Sequence, residues 1–155
     1  MRSSGKAGLF LAGTLLAAGS VVTGSVTPAS AAGGPVNFSC GPNLNPYSYT
    51  NGNQRSHLTG IGQSGGEADM YRSTNRPYKD RNIYWVWGHN LNPGDKVSLD
   101  WTDDYAKTYH ACHATVPQGK HDATTGAVDN PQHRLYRVCI KRVGHAWECG
   151  GRWQG

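Results

Sequence analysis

The stretch from Asn82 to Asp104, NIYWVWGHNLNPGDKVSLDWTDD, limits the possible folds more than any other part of the chain. Ile83, Tyr84, Trp85, Val86 and Trp87 form an unbroken β-branched and aromatic run, the pattern of a strand buried on both faces. Val97, Leu99 and Trp101 then alternate with Lys96, Ser98 and Asp100, the pattern of a strand with one wet face. Between them Asn92-Pro93-Gly94-Asp95 carries turn chemistry, because Pro93 presets φ and Gly94 accepts φ > 0. Three of the five tryptophans fall here, so the stretch is expected to form an antiparallel pair at the centre of the core.

Met1 to Ala31 reads as an export signal and not as part of the fold. Arg2 and Lys6 make a positive start, Leu9 to Val22 is an apolar run rich in Ala and Gly, and Ala29-Ser30-Ala31 offers a small-x-small cleavage pattern. The run falls short of the ~20 apolar residues of a membrane span, so a released extracellular domain is expected. Cleavage would leave 124 residues, Ala32 to Gly155, enough for one domain that buries ~65% of its unfolded surface. Losing Arg2 and Lys6 lowers the formal charge from +5 to +3, a mild surplus that does not point to nucleic acid.

Cys40, Cys112, Cys139 and Cys149 all follow the signal, and an even count in a small exported domain points to two disulfides. There is no C-x-x-C, so the spacing resembles no zinc site. Val143-Gly144-His145 would turn a hairpin placing residues 139 and 149 opposite each other, which favours Cys139–Cys149 with Cys40–Cys112. Cys40–Cys149 with Cys112–Cys139 stays open. On chain-entropy arithmetic the long bridge contributes about 4 kcal/mol and the short one about 3 kcal/mol.

Residues 32–54 are rich in Gly, Pro, Asn and Ser, and Pro35, Pro42 and Pro46 are expected to exclude a helix and a regular interior strand. The segment is either a tethered coil over the domain or an extended arm that adds to a partner's sheet edge or groove. Phe38, Leu44, Tyr47 and Tyr49 are its candidate binding anchors. Arg55 to Gly66 reads as a short strand and a flexible loop, because Gly60, Gly62, Gly65 and Gly66 oppose long regular structure. Glu67 to Arg81 suggests one more short strand or a helical turn, and its Arg72, Arg76, Lys79 and Arg81 beside Tyr71 and Tyr78 read as a solvated loop rather than an RNA or anionic-glycan site. Tyr105 to Val116 and Leu135 to Val143 alternate as strands, 117–133 is a long loop, and Ala146 to Trp153 supplies a last strand. The expected fold is all-β: a single small antiparallel β-sandwich, immunoglobulin-like or a small barrel, of six to eight strands in 55–155, with two disulfides and an extended N-terminal arm at 32–54.

Candidate chemistry is sparse. On a strand His110 and His113 face opposite sides and cannot share an ion, and Cys112 is expected in a disulfide. Asp100, Asp103 and Asp104 lack the glycine and glutamate of a calcium loop and read as a strand end whose carboxylates accept turn N–H groups. A hydrolase or ribonuclease would want His, a carboxylate and Arg or Lys together, for which His110, His113 and Asp104 are the candidate set. No H-E-x-x-H is present, and no catalytic residue, metal or cofactor is assigned. Trp85 and Trp87 would form a sugar-stacking platform if exposed, but in an apolar run they are expected inside, leaving Trp147 and Trp153 as exposed contacts.

Export, size, cysteine count and the segment Ala32–Gln54 together resemble the small adaptor component of umbrella toxin particles of filamentous bacteria. That resemblance implies a β-rich linker between a lectin subunit and a large repeat-bearing toxin chain; no motif carries any residue's role across. A non-catalytic protein–protein adaptor is the function expected first, a carbohydrate or cell-wall binding module second, and a small secreted hydrolase or ribonuclease third.

Overall fold

A computed structural model describes residues 36–131, 134–150 and 153–155; the expected export signal and the start of the expected arm lie outside them. Six long strands carry the fold: β2 (Arg55–Gln63), β3 (Gly66–Ser73), β4 (Ile83–His89), β5 (Lys96–Thr102), β6 (Tyr109–Thr115) and β9 (Leu135–Lys141). Four short ones complete it: β1 (Val36–Phe38), β7 (Ala123–Thr124), β8 (Val128–Asp129) and β10 (Glu148–Cys149). Sheet I runs β1-β6-β5-β9-β10, antiparallel apart from the parallel β1–β6 pair. Sheet II runs β2-β3-β4, with β7 and β8 both along the free edge of β4.

The two sheets pack face to face. Ala68, Met70, Tyr84 and Val86 of sheet II meet Leu99, Trp101, Cys112, Tyr136, Val138 and Ile140 of sheet I in one core. Tyr84 and Tyr136 stack across it with centroids 4.0 Å apart, and burial pushes the Tyr136 hydroxyl far above its usual range while it donates to the Asp129 carbonyl at 2.9 Å. The all-β sandwich and both disulfides, Cys40–Cys112 and Cys139–Cys149, are as expected, and Cys139 and Cys149 stand opposite each other in the β9–β10 ladder.

The expected central hairpin is not one. β4 and β5 belong to different sheets, so the six residues between them cross the sandwich. Leu91 is fully buried as a plug, and a Cβ on Gly88 would stand 2.5 Å from Val97 Cγ1 and 2.7 Å from Leu91 Cδ1, so glycine is what lets the sheets approach. Buried Asp95 then fixes the turn from inside: its carboxylate accepts the N–H groups of Asn92 and Val143, each at 2.7 Å, and pairs with Arg142 Nε at 2.6 Å. Those bonds tie the turn to the loop after β9 instead of closing a β4–β5 ladder.

Sheet II also extends further than its glycines suggested. β2 continues through Gly60 and Gly62 and turns at Ser64-Gly65, both at positive φ, into β3. Gly60 lies under the Asp69 carboxylate, where any side chain would collide, so a glycine belongs in this strand. The loop after β6 provides the edge pieces β7 and β8, whereas the expected last strand shrinks to Glu148–Cys149 and a bridge between Gln154 and Tyr136.

Residues 36–54 lie against the domain throughout. Cys40 is bolted to the inner face of β6, the Ser39 carbonyl accepts Trp101 Nε1–H at 3.0 Å, and Leu44 bridges Ala127. The expectation that proline excludes a helix fails at α1 (Pro46–Tyr49), where Pro46 occupies the first turn, in which its missing N–H costs nothing. Asn45 caps it by accepting the Tyr47 N–H at 3.1 Å. This turn explains the unbroken apolar run of β4: Tyr84 and Val86 face the main core, while Ile83 and Trp85 lie under Leu44 and Tyr49 in a second cluster.

Candidate functional site

Each sheet has an outer face, and strand alternation decides what each presents. On sheet I the outward positions are Ser98 and Asp100 of β5, Tyr109, Ala111 and His113 of β6, and Arg137 and Cys139 of β9. Asp100 and Arg137 are almost completely buried there and meet at 2.7 Å. The second Asp100 oxygen accepts the Ser98 hydroxyl at 2.6 Å. Arg137 lies with its guanidinium carbon 4.6 Å from the Trp153 ring centroid and 5.4 Å from that of Tyr109, covered by aromatic faces. Asp100, Cys139 and Cys149 are the one group of three potential metal donors clustered within 4.8 Å among the described residues, but both sulfurs are spent in the disulfide.

Beside this buried pair sits an exposed aromatic trio. His113 is edge-on to Phe38 at 5.1 Å and stacked on Trp147 at 4.8 Å. Phe38 is 72% exposed, on an edge strand, and Trp147 is 37% exposed. Partial burial holds the His113 imidazole below its ordinary pKa, an effect that Lys96 reinforces and Asp100 opposes. Two of the expected binding residues, Phe38 and Trp147, are thus brought together from opposite ends of the described chain, with His113 between them.

The other expected anchors scatter. Trp153 lies on Arg137, and Leu44 and Tyr49 are spent in packing against Ile83 and Trp85. Tyr47 is 53% exposed on the opposite side of the molecule, where its hydroxyl meets Thr124 Oγ1 at 3.0 Å. The aromatic midsection divides: Trp85 is fully buried, as expected, but Trp87 is only half-buried and stacks on His89 at 4.6 Å.

That pair belongs to a polar network on sheet II that joins three strands. Asp69 receives His57 Nε2 at 3.1 Å on one oxygen and His89 Nε2 at 3.0 Å on the other, and His89 also lies 3.3 Å from Glu67. Histidines and carboxylates do meet at hydrogen-bond distance in this protein, on an open sheet face and not in a cleft. Alternation of Glu67, Asp69 and Tyr71 with buried Ala68 and Met70 marks the outward face of β3, but not which residues of β2 and β4 stand beside it.

The candidate hydrolase set does not assemble. His110 stacks on Trp101 at 3.9 Å, on the inner side of β6, while His113 faces outward. Asp104 caps the turn after β5, accepting the Thr108 N–H and the hydroxyls of Thr108 and Thr102; those bonds hold its carboxyl down at about 2. Asp103 pairs with Arg134 through two bonds of 2.7 and 3.1 Å. In the basic segment Arg81 is tied to Asp129 at 3.1 Å, Tyr71 and Tyr78 pack toward the second cluster, and Arg72, Arg76 and Lys79 are exposed. No protein-family model, curated protein or solved structure matches this chain.

Proposed function

We propose that this protein is an exported, non-catalytic binding module that joins other secreted proteins, and that it docks through Phe38, His113 and Trp147. The observation that carries this reading is Phe38, a phenyl ring left 72% exposed on an edge strand that a disulfide holds a few residues away. Exposed aromatics on a rigid base make strong contact points, since little side-chain entropy remains to be lost on binding. Among the described residues β1 is an end strand of sheet I, the geometry on which a partner strand can add. The two disulfides suit an oxidising, extracellular setting. The resemblance to an umbrella-particle adaptor points the same way and names the partner classes, a lectin-like subunit and a repeat-bearing toxin chain.

The test is affinity purification of the tagged chain from the supernatant of the organism that secretes it. Wild-type protein should bring down stoichiometric secreted partners, and Phe38→Ser with Trp147→Ser should lose them while keeping the wild-type melting temperature. Recovery of the wild-type chain as a free monomer overturns the reading.

A further inference from the structure

We propose that the outer face of sheet II is a saccharide-binding surface that takes a neutral, hydroxyl-rich glycan chain, independently of the protein-docking patch on sheet I. The inference comes from register. Thr124, Trp87, Asp69 and Gly60 stand directly opposite one another on four adjacent strands, forming a straight row across the sheet. With strands ~4.8 Å apart the row spans about 14 Å, the scale of a short oligosaccharide. Tyr47 closes one end through its bond to Thr124, and at the other the Asp69 carboxylate lies over Gly60.

The groups along this row have the chemistry a sugar needs. Asp69 sits at its middle, held from both sides by His57 and His89, so a ring hydroxyl meets an acceptor whose orientation is already fixed. Glu67, more than half exposed, adds a second acceptor one row away. The exposed Tyr47 ring supplies a surface for the C–H side of a pyranose, with the half-buried Trp87 one cross-strand step from its partner Thr124. Beneath Tyr47 the surface continues as a concavity of about 250 Å³ lined by Asn43, Asn45 and Thr125, and Thr124 joins it to a second of about 340 Å³. Amides and hydroxyls line the first, which favours uncharged polar ligands.

The same features disfavour other occupants. Two carboxylates repel phosphate and sulfate polyanions. A metal ion needs donors converging on a point, whereas the group of three that converges within 4.8 Å among the described residues lies on the other sheet. A protein hot spot wants a dry apolar centre, and the centre of this row is a carboxylate.

The experiment is affinity electrophoresis and calorimetry of the intact domain against cello-, chito-, xylo-, manno- and laminari-hexaose, with heparin and zinc chloride as separate arms. At least one neutral hexasaccharide should bind. Tyr47→Ala and Asp69→Asn should each weaken it about tenfold or more, and Phe38→Ser should leave it unchanged. The melting temperatures of both variants establish that they are folded; Tyr47 is exposed, so its replacement does not disturb the core. The proposal is overturned if no neutral hexasaccharide binds at millimolar concentration, if binding survives both substitutions, or if only heparin or zinc binds in an Asp69-dependent way. Because Phe38→Ser separates the two faces, failure here leaves the docking reading standing, and the converse holds.

Discussion

Both outer faces of this sandwich are partly covered by chain outside the six long strands, and the two covers hide different things. On sheet II the segment before β2 lays Leu44 and Tyr49 over Ile83 and Trp85, an apolar contact throughout. It stops short of Trp87, beyond which His57 and Glu67 are more than half exposed while Asp69 and His89 keep only an edge in water. On sheet I the segment after β9 lays Trp153 over an ion pair, so Asp100 and Arg137 are shut away from solvent. Burying a charge costs several kcal/mol unless its partner is placed to match, so the sheet I pair is committed to structure. The sheet II carboxylates carry no such commitment and remain able to meet a ligand. A cluster of charged residues therefore says little by itself; what covers it decides whether it serves the fold or faces outward.

The sharpest way to break that contrast is to remove one partner from each network. Arg137→Ala strands the Asp100 carboxylate under Trp153 and should cost about 3–5 kcal/mol of unfolding free energy in urea titration. Asp69→Asn on the open face should cost about 1 kcal/mol or less. Equal losses would mean that water reaches Asp100 and that the two faces are not different in kind.

The disulfides compare the two covers themselves. Replacing Cys40 and Cys112 by serine frees the segment before β2 and opens a loop of 72 residues, for an expected loss of about 4 kcal/mol. Replacing Cys139 and Cys149 opens a separation of only 10 residues and should cost about 3 kcal/mol. Thermal melts of the two double variants rank them. A reversed order would show that the short bridge holds the lid over Arg137, a contribution beyond loop closure.

Much of the fold was legible because alternation and cysteine count act locally. The inward set of β9, Tyr136, Val138 and Ile140, follows from parity alone, and the turn at Gly144 sets Cys139 against Cys149. The failures share one cause, which is that neighbours in sequence need not be neighbours in a sheet. Pro93-Gly94 looks like a hairpin turn, and only Leu91 and Asp95, anchored to distant residues, make it a crossing between sheets. Gly60 looks like a strand breaker until Asp69 is seen lying over it. The sheet II network failed for the same reason, since His57, Asp69 and His89 come from three strands whose register no local pattern reveals. The trio on sheet I was half legible: Phe38 and Trp147 stood out as aromatics in polar segments, while the link between them, His113, depends on β1 lying beside β6.

The smallest expected effect separates the faces by pH. His113 lies between Phe38 and Trp147, and its partial burial favours the neutral ring, which depresses its folded pKa below the ordinary 6.5. The unfolded chain therefore binds a proton at this site more readily than the folded one. The site contributes its full stability above pH 6.5, and the contribution falls as pH drops through the depressed folded value. The chain has six other histidines, so the informative quantity is a difference: the loss of unfolding free energy between pH 7.5 and 5 in the wild type, compared with the same loss in His113→Gln. The variant should lose less. Acid should also weaken any partner held by the trio, because a protonated His113 brings a charge into an aromatic contact. If His113→Gln loses as much stability as the wild type over that range, the imidazole is wet, and the sheet I cover ends at Arg137 without reaching the exposed trio.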